Sequence, residues 1–333
     1  MTIVFLTRLF HPHIGGVEKH VWEISHILAK MGHKIVIITE NTQYSPHEFI
    51  DCIEVYRFNP GREDWYKKFR IWKWMLQHQH IFRSAQIIHC HDVFFWYLPL
   101  RLIFFTKKIF TTFHGYETRF PIKRSAIIVR KVSEILSNGN ICVGDYISKW
   151  YKTKLTYTTY GGVRFTKIYN TESKKLTLGF VGRISEDNGV SIYEKALNEL
   201  KKLNIAFSFL VFGDGNEKEK FATYGKLMGM VNPDISSVEI LFASSYLSIL
   251  EGLINKKLII AVYNNELKKD YLMLSPFSKY IMITNNPHAI VETVNKYVQS
   301  SGTFENRLIE GYEFAKEQTW EKVAEIYVKL WKL

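Results

Sequence analysis

The sequence predicts an α/β protein built from two doubly wound, Rossmann-like domains. Three observations carry this expectation. Short β-branched runs alternate with helix-periodic segments, the alternation restarts after a polar stretch near the middle, and 333 residues suffice for two domains with separate cores. A hydrophobic fraction of 47% fits a globular chain and excludes disorder.

Thr2 to Leu6 is a short apolar strand run, followed by a loop that ends in Gly15-Gly16-Val17-Glu18. From Val17, the apolar positions Val21, Ile24, Ile27 and Leu28 recur at helical spacing until Gly32, and Lys34 to Thr39 begins a second strand. This is one parallel βαβ unit, whose Gly-Gly loop lies at the carboxyl edge where open α/β sheets bind ligands. Glycines there let the backbone approach a phosphate or sugar at a helix amino terminus, although many such pairs are simply turns. Further strands fit Cys52–Phe58, Gln86–Cys90, Lys108–Thr112, Asn140–Val143 and Thr156–Thr159. Thr166 to Lys175, polar and aperiodic, reads as a linker. The second half offers strand Leu176–Val181, helix Val190–Lys202, strands Phe207–Phe212 and Val238–Phe242, helix Tyr246–Asn255, strands Lys257–Val262 and Tyr280–Ile283, and helix His288–Val298. Phe304 to Leu333 is amphipathic and too long for one uninterrupted helix. The expected domains are 1–168 and 169–310, with a terminal helical segment, 311–333, packing back on the first.

The net charge of +12 is unevenly placed. Residues 1–168 hold 24 Lys and Arg against 12 Asp and Glu, whereas residues 169–333 hold 20 against 20. An excess confined to one half suits an anionic partner, whether lipid headgroups, a phosphorylated substrate or nucleic acid; no nucleic-acid-binding motif accompanies it, and a simply solvated basic face stays open beside the membrane reading. On a helical wheel of Asp64 to Arg83, Trp65, Phe69, Trp72 and Leu76 share a stripe expected to face the core. The opposite face carries Tyr66, Ile71 and Trp74 among Lys67, Arg70 and Lys73, and reads as membrane-facing, with Lys107, Lys108, Lys123 and Arg124 adding charge. No apolar run reaches the roughly 18 residues of a membrane span, and the amino terminus enters a strand directly. A cytoplasmic protein, peripheral on the cytoplasmic face of the membrane, is therefore expected.

Three cysteines, Cys52, Cys90 and Cys142, are odd in number and widely spaced, which suits neither a disulfide framework nor a zinc site. His89 and His91 flank Cys90, but on a strand the two histidines share one face and the cysteine takes the other. No metal is expected. In the second half, Ser244-Ser245-Tyr246-Leu247-Ser248-Ile249-Leu250-Glu251-Gly252 follows a strand and opens a helix carrying a carboxylate. That arrangement offers backbone N–H groups and one acid to a ligand.

Taken in order, eight motifs resemble the retaining nucleotide-sugar glycosyltransferases of the GT-B fold, in the family usually numbered four. They are Gly15-Gly16-Val17-Glu18, His89-Cys90-His91-Asp92, Phe113-His114-Gly115, Tyr160-Gly161-Gly162-Val163, Gly182-Arg183-Ile184, Phe212-Gly213-Asp214-Gly215, Leu250-Glu251-Gly252, and Trp320 with its helix. The resemblance implies two Rossmann-like domains and a last helix that crosses back to the first. It implies transfer of a hexose-type sugar from a nucleotide-diphosphate sugar to a glycan or polyprenyl-linked acceptor with retention. No cofactor or metal is implied beyond that substrate, no Asp-x-Asp triplet occurs, and no protein nucleophile is assigned.

Residue by residue, the resemblance makes Arg183 the phosphate cation, Glu251 the acceptor of the ribose hydroxyl hydrogens, and His114 the neighbour of the transferred sugar. Gly15, Gly16, Gly182, Gly213, Ser244, Ser245, Tyr246, Leu247 and Ser248 fall on the donor side. Glu18, His91 and Asp92 fall toward the acceptor. Each also has a plain structural role open to it: a surface arginine, a first-turn acid, a strand-end histidine, a residue that orients a loop. Two departures stand out. Asn188 occupies the position where the family carries a lysine, and Ala243 occupies that of a second glutamate eight residues before Glu251, with Glu239 the nearest upstream acid. They leave open a second reading, a weak or inactive GT-B protein that binds nucleotide or glycan as the partner of an active transferase.

Overall fold

A computed structural model of the chain describes residues 1–40, 43–115, 120–165 and 176–332. The expected linker, 166–175, lies outside them. The chain divides into two compact units. Unit 1 takes in the described residues up to 115, then Pro121–Thr159 and the segment from Trp320, whereas unit 2 takes in Tyr160–Thr319.

Unit 1 contains β1 (Thr2–Thr7), α1 (Gly16–Lys30), β2 (Lys34–Glu40), β3 (His47–Ile50), β4 (Ile53–Phe58), α2 (Lys67–Gln77), α3 (Gln79–Ser84), β5 (Ile87–His91), α4 (Phe94–Ile103), β6 (Lys108–Phe113), α5 (Arg124–Leu136), β7 (Asn140–Val143), α6 (Tyr146–Tyr151) and β8 (Tyr157–Thr159). The sheet order is β3-β4-β2-β1-β5-β6-β7-β8, parallel except for the β3–β4 pair. Both faces are covered, so the central strands read as continuous apolar runs. One face buries Val4, Leu6, Val36, Ile38, Ile88 and Cys90 against Phe82, Tyr97 and Leu100. By the two-residue alternation of β5, His89 and His91 point to the other face, away from Cys90.

Unit 2 contains β9 (Leu176–Val181), α7 (Val190–Lys202), β10 (Phe207–Phe212), α8 (Glu219–Ala222), β11 (Lys226–Gly229), β12 (Ile240–Phe242), α9 (Tyr246–Ile254), β13 (Leu258–Val262), α10 (Glu266–Met273), β14 (Met282–Thr284), α11 (Pro287–Gln299) and α12 (Glu305–Lys316). Its six strands are parallel in the order β11-β10-β9-β12-β13-β14. The segment after residue 304 is two helices: α12 stays with unit 2, and α13 (Trp320–Trp331) belongs to unit 1. Trp320, Val323, Ala324, Tyr327, Leu330 and Trp331 recur at helical spacing and are all buried.

Several expectations are corrected. The faces of α2 are partly exchanged. Ile71 and Met75 are buried in the core, and Trp74 stacks on Phe58 with ring centroids 5.0 Å apart, whereas Trp65 is 71% exposed and Phe69 46%. Lys67 reaches Glu40 at 3.0 Å and Glu63 at 2.6 Å, and Arg70 binds Asp64 and the carbonyl oxygens of Pro60 and Arg62. These anchors hold Lys67 and Arg70 in place, whereas Tyr66 and Lys73 of the same expected face are exposed, and Trp72, expected in the core, is half-buried with its Nε1–H on the Phe95 carbonyl at 2.7 Å. Glu239 precedes β12 instead of lying within it: its carboxylate accepts the Thr177 N–H at 2.6 Å, at the amino end of the sheet, opposite the ligand edge. The strand expected at Tyr280 begins at Met282, after a 3₁₀ turn over Ser278–Tyr280. Among the described residues no helix is long and apolar enough to cross a membrane.

Candidate functional site

Strand order locates a ligand edge in unit 2. From β9 the chain goes to β10 on one side and later to β12 on the other, so the loops after β9 and β12 diverge at a topological switch point. Gly182-Arg183 follows β9, and Ser244-Ser245 precedes α9 after β12. Gly182 and Gly213 have φ of +146° and +148°, and a Cβ on Gly213 would collide with the Gly182 carbonyl oxygen. Glycine at 213 thus brings the β9 and β10 loops backbone to backbone.

Arg183 is exposed but held. Its Nε donates to Ser185 Oγ at 3.1 Å and its Nη2 to Asp187 Oδ2 at 2.6 Å, while Ser185 Oγ donates to Asp187 Oδ1 at 2.6 Å. Asn188, buried in the 3₁₀ turn Glu186–Asn188, donates from Nδ2 to the Arg183 carbonyl at 2.8 Å. Its Oδ1 lies 3.4 Å from Nζ of Lys268, on α10. Lys268 is buried, and desolvation lowers its pKa to about 8, opposed by Asp187 and reinforced by Arg183.

The serines divide in role. Ser244 is buried, accepting the Val262 N–H at 3.0 Å and donating to the Tyr193 hydroxyl at 2.9 Å, which itself donates to the Ile260 carbonyl at 2.8 Å. This chain ties β12 to β13 and α7, so Ser244 does not face a ligand. Ser245 and Ser248 hydrogen-bond to each other across the first turn of α9. Tyr246 is buried, its ring stacked on Tyr271 at 3.9 Å and its N–H donating to the Tyr271 hydroxyl at 2.9 Å. That leaves Leu247 and Glu251, four residues apart and half-buried, on the outward stripe of α9. Gly252 explains the Glu-Gly pair, because a Cβ there would strike Ile259 and Leu241, so glycine lets α9 lie close on the sheet.

Unit 1 holds the other expected residues. Gly15 and Gly16 open α1, and a Cβ on Gly15 would meet the Glu18 carboxylate, which folds back over the helix amino terminus. Asp92 accepts the His114 N–H at 3.1 Å and orients that strand end. His91 Nδ1 lies 2.8 Å from His114 Nε2, and His91 Nε2 is buried with no partner among the described residues. An unmet acceptor costs less than an unmet N–H, so His91 Nδ1–H donates and His114 carries its own proton on Nδ1. Behind this pair runs a hydrogen-bonded chain. Trp331 Nε1–H donates to His89 Nδ1 at 3.1 Å and His89 Nε2 to Thr112 Oγ1 at 2.7 Å; the Thr112 and Tyr327 hydroxyls are bonded at 2.9 Å, and the Tyr327 hydroxyl lies 2.8 Å from His20 Nε2. Accepting on Nδ1 keeps the His89 imidazole neutral. Desolvation pushes His89, His91 and His114 well below the usual histidine range, and His20 down to about 3.

Sequence reasoning missed Lys268, Tyr271, His20 and Tyr327. His20 sits four residues before Ile24 on the stripe that also holds Leu28, which was the available signal. Among the described residues no group of three His, Cys, Asp or Glu is arranged to hold a metal.

A family model described as Glycosyltransferase Family 4 matches residues 14–158. The crystal structure of a glycosyltransferase from Rickettsia africae superposes with a TM-score of 0.70 at 17% identity, covering 99% of this chain and 98% of that one. Anabaena Alr3699/HepE, solved in complex with UDP and glucose, gives 0.71 at 12% identity, covering 98% of each chain. Likeness at such identity carries the fold. A subunit of the human phosphatidylinositol N-acetylglucosaminyltransferase is 40% identical over 37 residues, 11% of this chain and 8% of that protein.

Proposed function

We propose that this chain is a GT-B glycosyltransferase of the group 1 family that binds a nucleotide-diphosphate sugar at the β9/β12 switch point of unit 2 and transfers the sugar with retention, without a metal. One observation carries the reading: the loops at that switch point present Gly182-Arg183 on one side and the outward stripe of α9, with Glu251, on the other. Arg183, oriented by Asp187 and Ser185, supplies a guanidinium for the diphosphate, and Glu251 an acceptor for the ribose hydroxyls. In the transfer, the bond from the anomeric carbon to phosphate breaks, a bond to the acceptor oxygen forms on the same face, and the acceptor proton passes to the leaving phosphate. Arg183 stabilises the charge that develops there. Neutral His114 offers a hydrogen bond to a sugar hydroxyl, and no charged acid is asked of it.

The acceptor we propose is a glycan on a membrane lipid. What supports this is the outward stripe of α2, where Trp65, Phe69 and Leu76 are exposed and Lys68 Nζ lies 3.4 Å over the Trp65 ring. With Lys73 and Pro99, Phe69 and Leu76 line a groove of about 500 Å³, and Leu102 and Phe105 are also exposed. Apolar rings among lysines fit an anionic bilayer surface.

Calorimetry with UDP, GDP and ADP, followed by a transfer assay with the matching sugar donors, tests the reading. Arg183→Ala and Glu251→Ala are each expected to reduce transfer by about a hundredfold or more; full rate in both overturns the assignment. Nucleotide binding with no transfer to any acceptor favours the inactive partner instead.

A further inference from the structure

We propose that Lys268, reaching in from α10, supplies the second cation for the nucleotide diphosphate that the β9 loop lacks at Asn188, and that Asn188 positions it. The inference rests on the reading of unit 2 as the nucleotide-sugar site.

The position five residues after Arg183 is held by an amide, so the turn before α7 offers one cation where two would grip a diphosphate. The structure puts a second ammonium at the same place from another element. Asn188 is anchored by its Nδ2 on the Arg183 carbonyl and turns its Oδ1 toward Lys268 Nζ, 3.4 Å away. Lys268 is itself fixed: its N–H donates to the Asn265 side chain at 2.9 Å, and its Nζ lies 4.4 Å over the Tyr271 ring. An amide oxygen at that distance and a ring face do not replace the hydration of an ammonium that is 3% exposed.

The charged and titratable groups around it are few. Asp187, on the 3₁₀ turn, is committed to Arg183 at 2.6 Å and to Ser185. Arg183 opposes the Lys268 charge, and Tyr271 presents its ring. Among the described residues no carboxylate pairs with Lys268. A group kept only for packing would be a methionine or leucine, since well-packed apolar replacements of buried charges are often neutral or stabilising. Two cations drawn toward one spot with a single carboxylate between them are relieved by a polyanion, and a diphosphate has that charge. The lysine has in effect moved from the β9 loop to α10, and the amide left behind holds it in place.

The test is UDP, GDP and ADP titrated against the unaltered protein, Lys268→Met and the exchange Asn188→Lys/Lys268→Met, with the matching nucleosides followed by NMR. Lys268→Met is expected to melt no lower than the unaltered protein, to lose at least tenfold in affinity for the preferred diphosphate, and to change less than twofold toward its nucleoside; the exchange recovers most of the loss. Unchanged diphosphate affinity in Lys268→Met, or equal losses for diphosphate and nucleoside, overturns the inference. Should Lys268→Met fail to fold, Lys268→Gln carries the same comparison. If the unaltered protein binds none of the three diphosphates, the donor-site reading itself fails and the inference with it, an outcome distinct from binding that is indifferent to Lys268.

Discussion

His91 and His114, on successive strand ends of unit 1, share one hydrogen bond of 2.8 Å between Nδ1 and Nε2. A second proton on His114 would break it, and one on His91 would leave a buried N–H unmet. The pair leans on the neutral chain that ends at His20, whose ring stands edge-on to His114 with centroids 4.7 Å apart. Charge on any member is unwelcome throughout.

Unit 1 should therefore be acid-labile. In the unfolded chain these histidines take protons near 6.5, whereas in the fold burial holds His20, His89 and His91 below that. Between the two values the unfolded state binds more protons, so stability is full above pH 6.5 and falls as pH drops, by up to about 1.4 kcal/mol per pH unit for each histidine. Urea unfolding followed by tryptophan fluorescence at pH 7.5 and 5.5 measures this. Equal midpoints at the two values would refute neutral buried imidazoles.

For His114 the same geometry predicts a positioning contact with substrate and no proton transfer. His114→Ala should lower kcat of the proposed transfer by roughly tenfold to a hundredfold, while kcat of the unaltered protein stays flat from pH 6.5 to 8. A titration in that range that disappears in the variant would reverse the role.

Ser244 separates structure from binding. Ser244→Ala leaves the buried Val262 N–H unmet, at a cost of about 1–3 kcal/mol. A lower melting temperature with unchanged nucleotide affinity is expected; a variant of ordinary stability that binds nucleotide poorly would return Ser244 to the donor side.

The two faces of α2 part company under charge reversal. Lys68→Glu/Lys73→Glu should weaken salt-sensitive sedimentation with vesicles containing anionic lipid and leave the melt unchanged. Lys67→Glu/Arg70→Glu should instead lower the melting temperature, because those side chains are bound to Glu40, Glu63 and Asp64. Sedimentation indifferent to the first pair would rule out this face.

What the sequence made legible follows from burial. β7, β9, β10 and α7 occupy the residues expected, since parallel strands covered on both faces are mostly apolar, broken here only by Asn140, Thr177, Gly179 and Ser208, and α7 keeps a clear helical stripe. β3 escaped because an edge strand with alternating exposure, His47 to Ile50, carries no such run. α10 escaped because Glu266-Leu267-Lys268-Lys269-Asp270 looks like a solvated turn; Asn265, whose side chain caps the helix, was its one local sign. Arg183 and Glu251 were reached through the family resemblance, but Lys268 is recognisable only once its Nζ is seen 3.4 Å from Asn188 across 80 residues of chain. The partly exchanged faces of α2 show the same limit, because a wheel ranks side chains by apolarity and cannot know that Lys67 and Arg70 have partners.

α13 has a consequence for biosynthesis. Tyr327 and Trp331 complete the histidine chain of unit 1, yet the ribosome adds them only after Tyr160–Thr319, the whole second unit, has been synthesised. At about 5–20 residues per second, the first sheet waits on the order of ten seconds without α13 on its histidine face. Through that interval unit 1 remains a substrate for chaperones, so its last packing step is set by the length of the unit inserted before α13.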